Sequence, residues 1–237
     1  MHKAHKRVQR QLLEIWRKMK RHRPGDLMEE TLRCQCEVAW SVVDSVRLLC
    51  DKRQGVAAMV LCRGMFERTA AIDFLANSTD PQILTDYIDY GKIVAYELAV
   101  GLSAPQKILD AMKPEYDAIK ARLGNRKWHR TTIEKLVAAS FDTALAAGEK
   151  SLYKTFYKEA SSFAHGDSFA VLRHRPATGW HQLFDPDEQS DWAIEALSLT
   201  YQFFASMLFQ VQIRCHIDLE EDFNAMIPAL EELPRSA

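Results

Sequence analysis

Apolar residues recur at helical spacing along nearly the whole chain. Val8, Leu12, Trp16 and Met19 form a first stripe, which stops before Pro24. Asp26 followed by Glu29 is a capping-box pattern, and it opens a long helix to about Lys52. A third helix is expected over about Val56 to Ala76. A fourth starts at Asp80-Pro81, with the proline in the first turn, and runs to about Val100. Ser103 and Pro105 start a fifth, which Pro114 is expected to kink or divide before Gly124.

The same reading continues toward the C-terminus. Thr131 and Glu134 form another capping-box pattern, and the helix they open ends near Gly148. The next spans about Lys150 to His165, with Gly166 as terminator. Asp185-Pro186-Asp187 opens a long apolar helix to about His216, and a last amphipathic helix covers about Leu219 to Glu232. The exception is 167–184, where two short extended runs flank the turn signal Pro176-Ala177-Thr178-Gly179. The expected fold is therefore all-α: one bundle of about eight to nine helices with a small loop or hairpin insert at about 167–184. The expected organisation is a basic N-terminal helix, 1–23, followed by one bundle domain, 24–237.

Composition changes this picture little, and charge changes it more. The chain has 237 residues, 47% hydrophobic and 27% charged, which are ordinary globular values. The net charge of −1 hides an asymmetry. Residues 1–23 hold nine Lys/Arg against Glu14 alone, whereas 185–237 hold eleven Asp/Glu against Arg214 and Arg235. Either the two ends pack on each other, or the first helix is a basic arm for an anionic partner such as RNA.

Ala196 to Ile213 carries no charge, but Ser198, Thr200, Gln202, Ser206, Gln210 and Gln212 interrupt it. Such groups are costly in lipid, so a buried bundle helix is expected and no membrane span. The five cysteines are odd in number and lie in apolar helical patterns. With no apolar leader at the N-terminus, they read as a reduced, cytoplasmic chain.

Two helices concentrate candidate chemistry. On the third, Arg63 and Glu67 share a face of a helix that is apolar on nearly all sides, so both are expected inside. They fit either a structural ion pair or an anion clamp. In the helix before Gly166, Tyr153, Tyr157, Ser161 and His165 recur every four residues. His165 closes the helix end, where the dipole favours imidazolium, and Ser161 stands one turn before it.

Asp86 and Tyr90 share a face of the fourth helix. Arg173, His174, Arg175 and His181 make the 167–184 insert basic, which suits phosphates as well as a solvated loop. Cys34 and Cys36 diverge on a helix, and no second Cys/His pair stands at ligand spacing, so no metal is expected. The P-loop, the dinucleotide fingerprint and the nucleophile elbow are absent, and no cofactor is expected.

Three segments carry a resemblance: LCRGMFERTAAIDFLA, TDYIDYGKIVAYEL and FYKEASSFAHGDSFAVLR. Their elements, in order, are Arg63-x3-Glu67, Tyr87/Tyr90-Gly91-Lys92 and Ser161-x3-His165-Gly166. They resemble a family of bacterial all-helical proteins of unknown function over roughly residues 35–215. More distantly the chain is similar to HEPN domains, helical bundles of toxins and phage-defence proteins, many of them metal-independent ribonucleases.

The HEPN motif is Arg, four to six residues, then His, usually working across a homodimer. Here Lys158, not Arg, precedes His165, with six residues between them. The resemblance implies that His165 is the general base for 2′-hydroxyl attack and that Arg63 or Lys158 stabilises the phosphorane. Ser161 would support His165, and Glu67, Tyr90, Tyr157, Arg173 and Arg175 would contact substrate. The alternative is a non-catalytic binding or assembly module whose interior polar residues are structural.

Overall fold

The computed structural model describes residues 3–124, 127–129, 132, 135–136, 156–157, 160–161, 164 and 186–234. These form seven helices: α1 (Lys3–Arg21), α2 (Leu27–Asp51), α3 (Gly55–Asn77), α4 (Gln82–Gly101), α5 (Gln106–Leu123), α6 (Pro186–Arg214) and α7 (Glu220–Glu231). The sequence pattern predicts eight to nine, and the two further helices fall mostly outside the described residues. The all-α class stands, since no strand occurs among the described residues. The 167–184 insert and the Thr131/Glu134 cap lie outside them; Thr132 Oγ1 accepts from the Lys135 N–H at 3.3 Å.

The chain divides into two compact units, residues 1–76 with 137–237, and residues 77–136. In the larger unit, α6 meets each neighbour through aromatic rings. Phe204 touches Trp16 of α1 and Trp40 of α2, Phe203 touches Phe66 of α3, and Phe209 touches Phe223 of α7. Edge-on contacts such as these add about 1 kcal/mol each beyond burial. The charge-free run of α6 is thus a bundle core, and among the described residues no helix is long and apolar enough to cross a membrane.

Ser198 of α6 finds partners inside. Ser198 Oγ donates to Ile194 O at 2.9 Å and lies 3.0 Å from His5 Nε2. Gly55 lets α3 start against α6: a Cβ there would stand 2.3 Å from Gln189 O, a distance no side chain tolerates.

Two predicted helix starts are formed as expected. Asp26 Oδ1 accepts from the Glu29 N–H at 2.8 Å, and Glu29 Oε2 reaches back to the Gly25 N–H at 2.7 Å. Asp80 Oδ1 accepts from the Gln82 N–H at 2.9 Å, with Pro81 already at helical dihedrals.

Of the two outcomes expected at Pro114, a kink or a division, division does not occur: α5 runs through it from Gln106 to Leu123. Proline there gives up one N–H donor. Compensation comes from packing against α4, where Ile93, Ile119 and Leu123 form a small core flanked by Tyr116.

In this smaller unit Arg122 holds the buried Asp86 carboxylate with one nitrogen and Asp89 with the other, the latter at 2.7 Å. Lys92 bridges to Glu115 at 2.8 Å and Lys120 to Glu97 at 3.3 Å.

Candidate functional site

Arg63 and Glu67 stand one turn apart on α3, and Tyr157 meets both. Arg63 Nη2 lies 2.9 Å from Glu67 Oε1 and donates to the Tyr157 hydroxyl at 3.2 Å. That hydroxyl in turn donates to the same Glu67 oxygen at 2.8 Å. The guanidinium also lies over the Tyr157 ring, 5.1 Å from its centroid.

The three groups make a closed, charge-neutral triangle. It corrects the expected burial. The Arg63 side chain is 22% exposed and that of Glu67 39%, so the pair lies at the edge of the bundle rather than inside it. Beside them Gly64 is open to solvent, and the charged heads keep part of their water.

Electrostatics agrees with a structural tie. Burial raises the Tyr157 pKa, and the Glu67 carboxylate adds to the rise against the pull of Arg63. The phenol therefore stays protonated at neutral pH and acts as a donor, not as a base. Burial also works against the Arg63 charge, but bonds to Tyr157 and Glu67 outweigh it and its pKa rises. A phosphate approaching Arg63 meets the Glu67 carboxylate on the same nitrogen. Two buried polar atoms nearby, Arg63 Nε and Ser161 Oγ, have no hydrogen-bond partner among the described residues.

The other candidates are Ser161 in the larger unit, Tyr90 in the smaller one, and four residues outside the described ones. Tyr157 and Ser161 are both half-buried and four residues apart in sequence. Tyr90 is half-buried on α4, in the smaller unit. Asp86, on the same face, is tied up by Arg122 rather than free in a pocket. His165, Lys158, Arg173 and Arg175 lie outside the described residues. Among the described residues no group of His, Cys, Asp and Glu is placed to hold a metal. The Cys34-x-Cys36 pair diverges as expected, with Cys34 exposed and Cys36 buried.

Of the two alternatives that its charge posed, packing is what the first helix shows: it docks on α6 and α7. Its apolar stripe is buried: Val8, Leu12, Ile15, Trp16 and Met19 are at most 3% exposed. Three of its cations meet acidic groups: Arg7 with Glu232 at 3.0 Å, Lys18 with Asp222 at 2.7 Å and Lys20 with Glu37 at 3.3 Å. Lys3, Lys6, Arg10, Arg17 and Arg21 do not. All five are exposed and have no ion pair among the described residues. At 100° per residue they fall within an arc of about 60° on the solvent face. At the N-terminal end of this stripe Lys3, Lys6, Arg7 and Arg10 line an open cleft of about 570 Å³ with Glu232.

The fold thus defines an all-helical protein with a neutral polar tie in its larger unit and a basic face on α1. Residues 38–176, more than half of the chain, match the family of unknown function DUF5677, and the chain belongs to that family. The match ends short of the expected 215 and leaves out α1, α6 and α7. No curated protein and no solved structure matches the chain.

Proposed function

We propose that the protein is a non-catalytic helical module that binds RNA through its sugar–phosphate backbone, using the solvent face of α1. One observation carries this reading. Five cations line that face outside any ion pair among the described residues, with Glu14 the single carboxylate of α1 beside them, while the apolar face of the same helix is used up in the core. A helix that binds a membrane surface needs its apolar face free to enter the lipid, and α1 has none to offer. A row of cations over about 27 Å of helix suits a line of phosphates instead. The stripe carries no base-reading geometry, so binding is insensitive to sequence.

The ribonuclease reading draws less support. Its general base, His165, and its cation Lys158 lie outside the described residues, and Arg63 is already neutralised by Glu67. The polar triangle serves instead to hold the helical residues around Tyr157 on α3.

The test is a salt titration of binding to a single-stranded RNA. Engaging all five cations gives a slope of log affinity on log salt near about −3.5. Lys6→Ala, Arg10→Ala and Arg17→Ala together should lower affinity more than tenfold and flatten the slope by about 2, with an unchanged melting temperature. Equal affinity in the triple variant, or binding to anionic vesicles in place of RNA, would overturn the reading. Cleavage of the RNA that is lost in His165→Ala would restore the nuclease.

A further inference from the structure

The cations of α1 are not spread evenly along it. Glu14 stands among them, on the face of Arg10, Arg17 and Arg21. After Glu14, only Arg17 and Arg21 have no ion pair among the described residues. Before it, Lys3, Lys6, Arg7 and Arg10 gather within about two helical turns, roughly 10 Å along the axis. These four line the cleft of about 570 Å³, whose one lining carboxylate is Glu232, just past the C-terminal end of α7. Four cations against one carboxylate leave the lining with a net charge of +3.

Glu232 does not withdraw Arg7 from an incoming anion. The two meet at 3.0 Å, but their side chains are 41% and 58% exposed. Such a wet ion pair holds its partner weakly. Glu232 therefore steers Arg7 toward the cleft and yields to a stronger anion.

This arrangement selects among phosphates. A phosphate inside an RNA strand carries a single negative charge. A phosphomonoester at a strand end carries about 1.5 to 2 at neutral pH, because its second pKa lies near about 6, and it offers three acceptor oxygens. A row of cations matches a row of single charges, whereas four cations around one concave site match the more highly charged end. A cleft lined by one sign of charge also focuses a field that a flat face disperses. Two of the four are arginines, whose forks each meet two oxygens of one phosphate.

We infer that the cleft of Lys3, Lys6, Arg7 and Arg10 holds the terminal phosphomonoester of the RNA strand, so that the strand runs along α1 in one direction from its phosphorylated end. The inference rests on the reading of α1 as an RNA-binding face and adds an end and a polarity to it. The 5′ and 3′ ends offer the same chemistry, and the experiment separates them.

The experiment measures the affinity of the full chain for one single-stranded RNA in three forms: with a 5′-phosphate, with a 3′-phosphate, and with hydroxyls at both ends. At neutral pH one phosphorylated form should bind about fivefold more tightly than the hydroxyl form. That preference should shrink as pH falls through about 6, where the monoester takes up its second proton. Lys3→Ala with Arg7→Ala should abolish the preference. Arg17→Ala with Arg21→Ala should weaken binding of all three forms and keep it. Equal affinity for the three forms overturns the inference and leaves the RNA-binding reading standing; no binding of any form overturns both. A preference that survives Lys3→Ala with Arg7→Ala also overturns the inference. If that double variant melts at a lower temperature than the wild type, Lys3→Ala alone, at an exposed position, decides.

Discussion

Helices α1 and α4 each leave one face to water, and they leave opposite kinds. On α1 the apolar face is spent in the core, against α6 and α7, and what remains is basic. On α4 both faces are apolar; one packs on α5 around Ile93, and the other is left open among the described residues. The lesson is that a helix's leftover face, rather than its overall composition, decides what it can bind. A basic remainder recruits polyanions through long-range attraction that salt screens. An apolar remainder recruits another apolar face at contact range, with little dependence on salt.

The sharpest break of this comparison is one substitution made on both helices. Leu12 on α1 is 0% exposed, and Leu12→Ala should cost about 3 kcal/mol through lost burial and a residual cavity. Leu98 on α4 is 59% exposed, and Leu98→Ala should move stability by less than about 0.5 kcal/mol. Chemical denaturation at low protein concentration measures both. Equal losses would mean that the second face of α4 is covered and that the two helices do not differ.

Much of this contrast was legible in the sequence, and part was not. The α1 stripe, the Asp26–Glu29 cap and the core role of 196–213 follow from spacing alone, because each depends on neighbours within a few turns. The split of α1's charge into paired and unpaired cations does not. It depends on which acidic residues of α2 and α7 fall within reach, and that is tertiary. The depth of Arg63 was misread for the same reason. Apolar residues around a helix signal burial on average but do not say which edge meets water.

Arg122 was not singled out, because its role depends on Asp86, 36 residues away. The open face of α4 was not singled out, because which side of an apolar helix its neighbours cover is a tertiary matter.

A second break concerns what holds the α4–α5 pair when one of its faces is unsupported. Asp86 is fully buried, and Arg122 neutralises it. Arg122→Ala should cost about 3 kcal/mol, because the carboxylate is left buried without its cation. Asp86→Ala should cost less, because the arginine it abandons is 40% exposed and can turn to water. Hydrogen exchange should show faster opening of α4 and α5 in Arg122→Ala, with the larger unit unaffected. Equal losses in the two variants would place the stabilisation in packing rather than in the ion pair.

The smallest effect sharpens the other half of the comparison, between cations that have a carboxylate and those that do not. Arg214, unlike the solvent face of α1, has Asp26 at 2.9 Å. Asp26 is held below its usual pKa of 3.8, first by the Glu29 backbone N–H and then by Arg214. Because the folded value is depressed, this contribution is present above the usual carboxylate range and is lost as pH falls through the folded value. Asp26→Asn keeps a capping oxygen but loses the charge, so at neutral pH it should cost only about 0.5 kcal/mol. Between neutrality and about pH 2 the wild type should lose stability toward the variant until the two curves meet. Curves that stay parallel down to that pH would show that the cap, and not the charge, accounts for Asp26, and that pairing on this surface contributes little to folding.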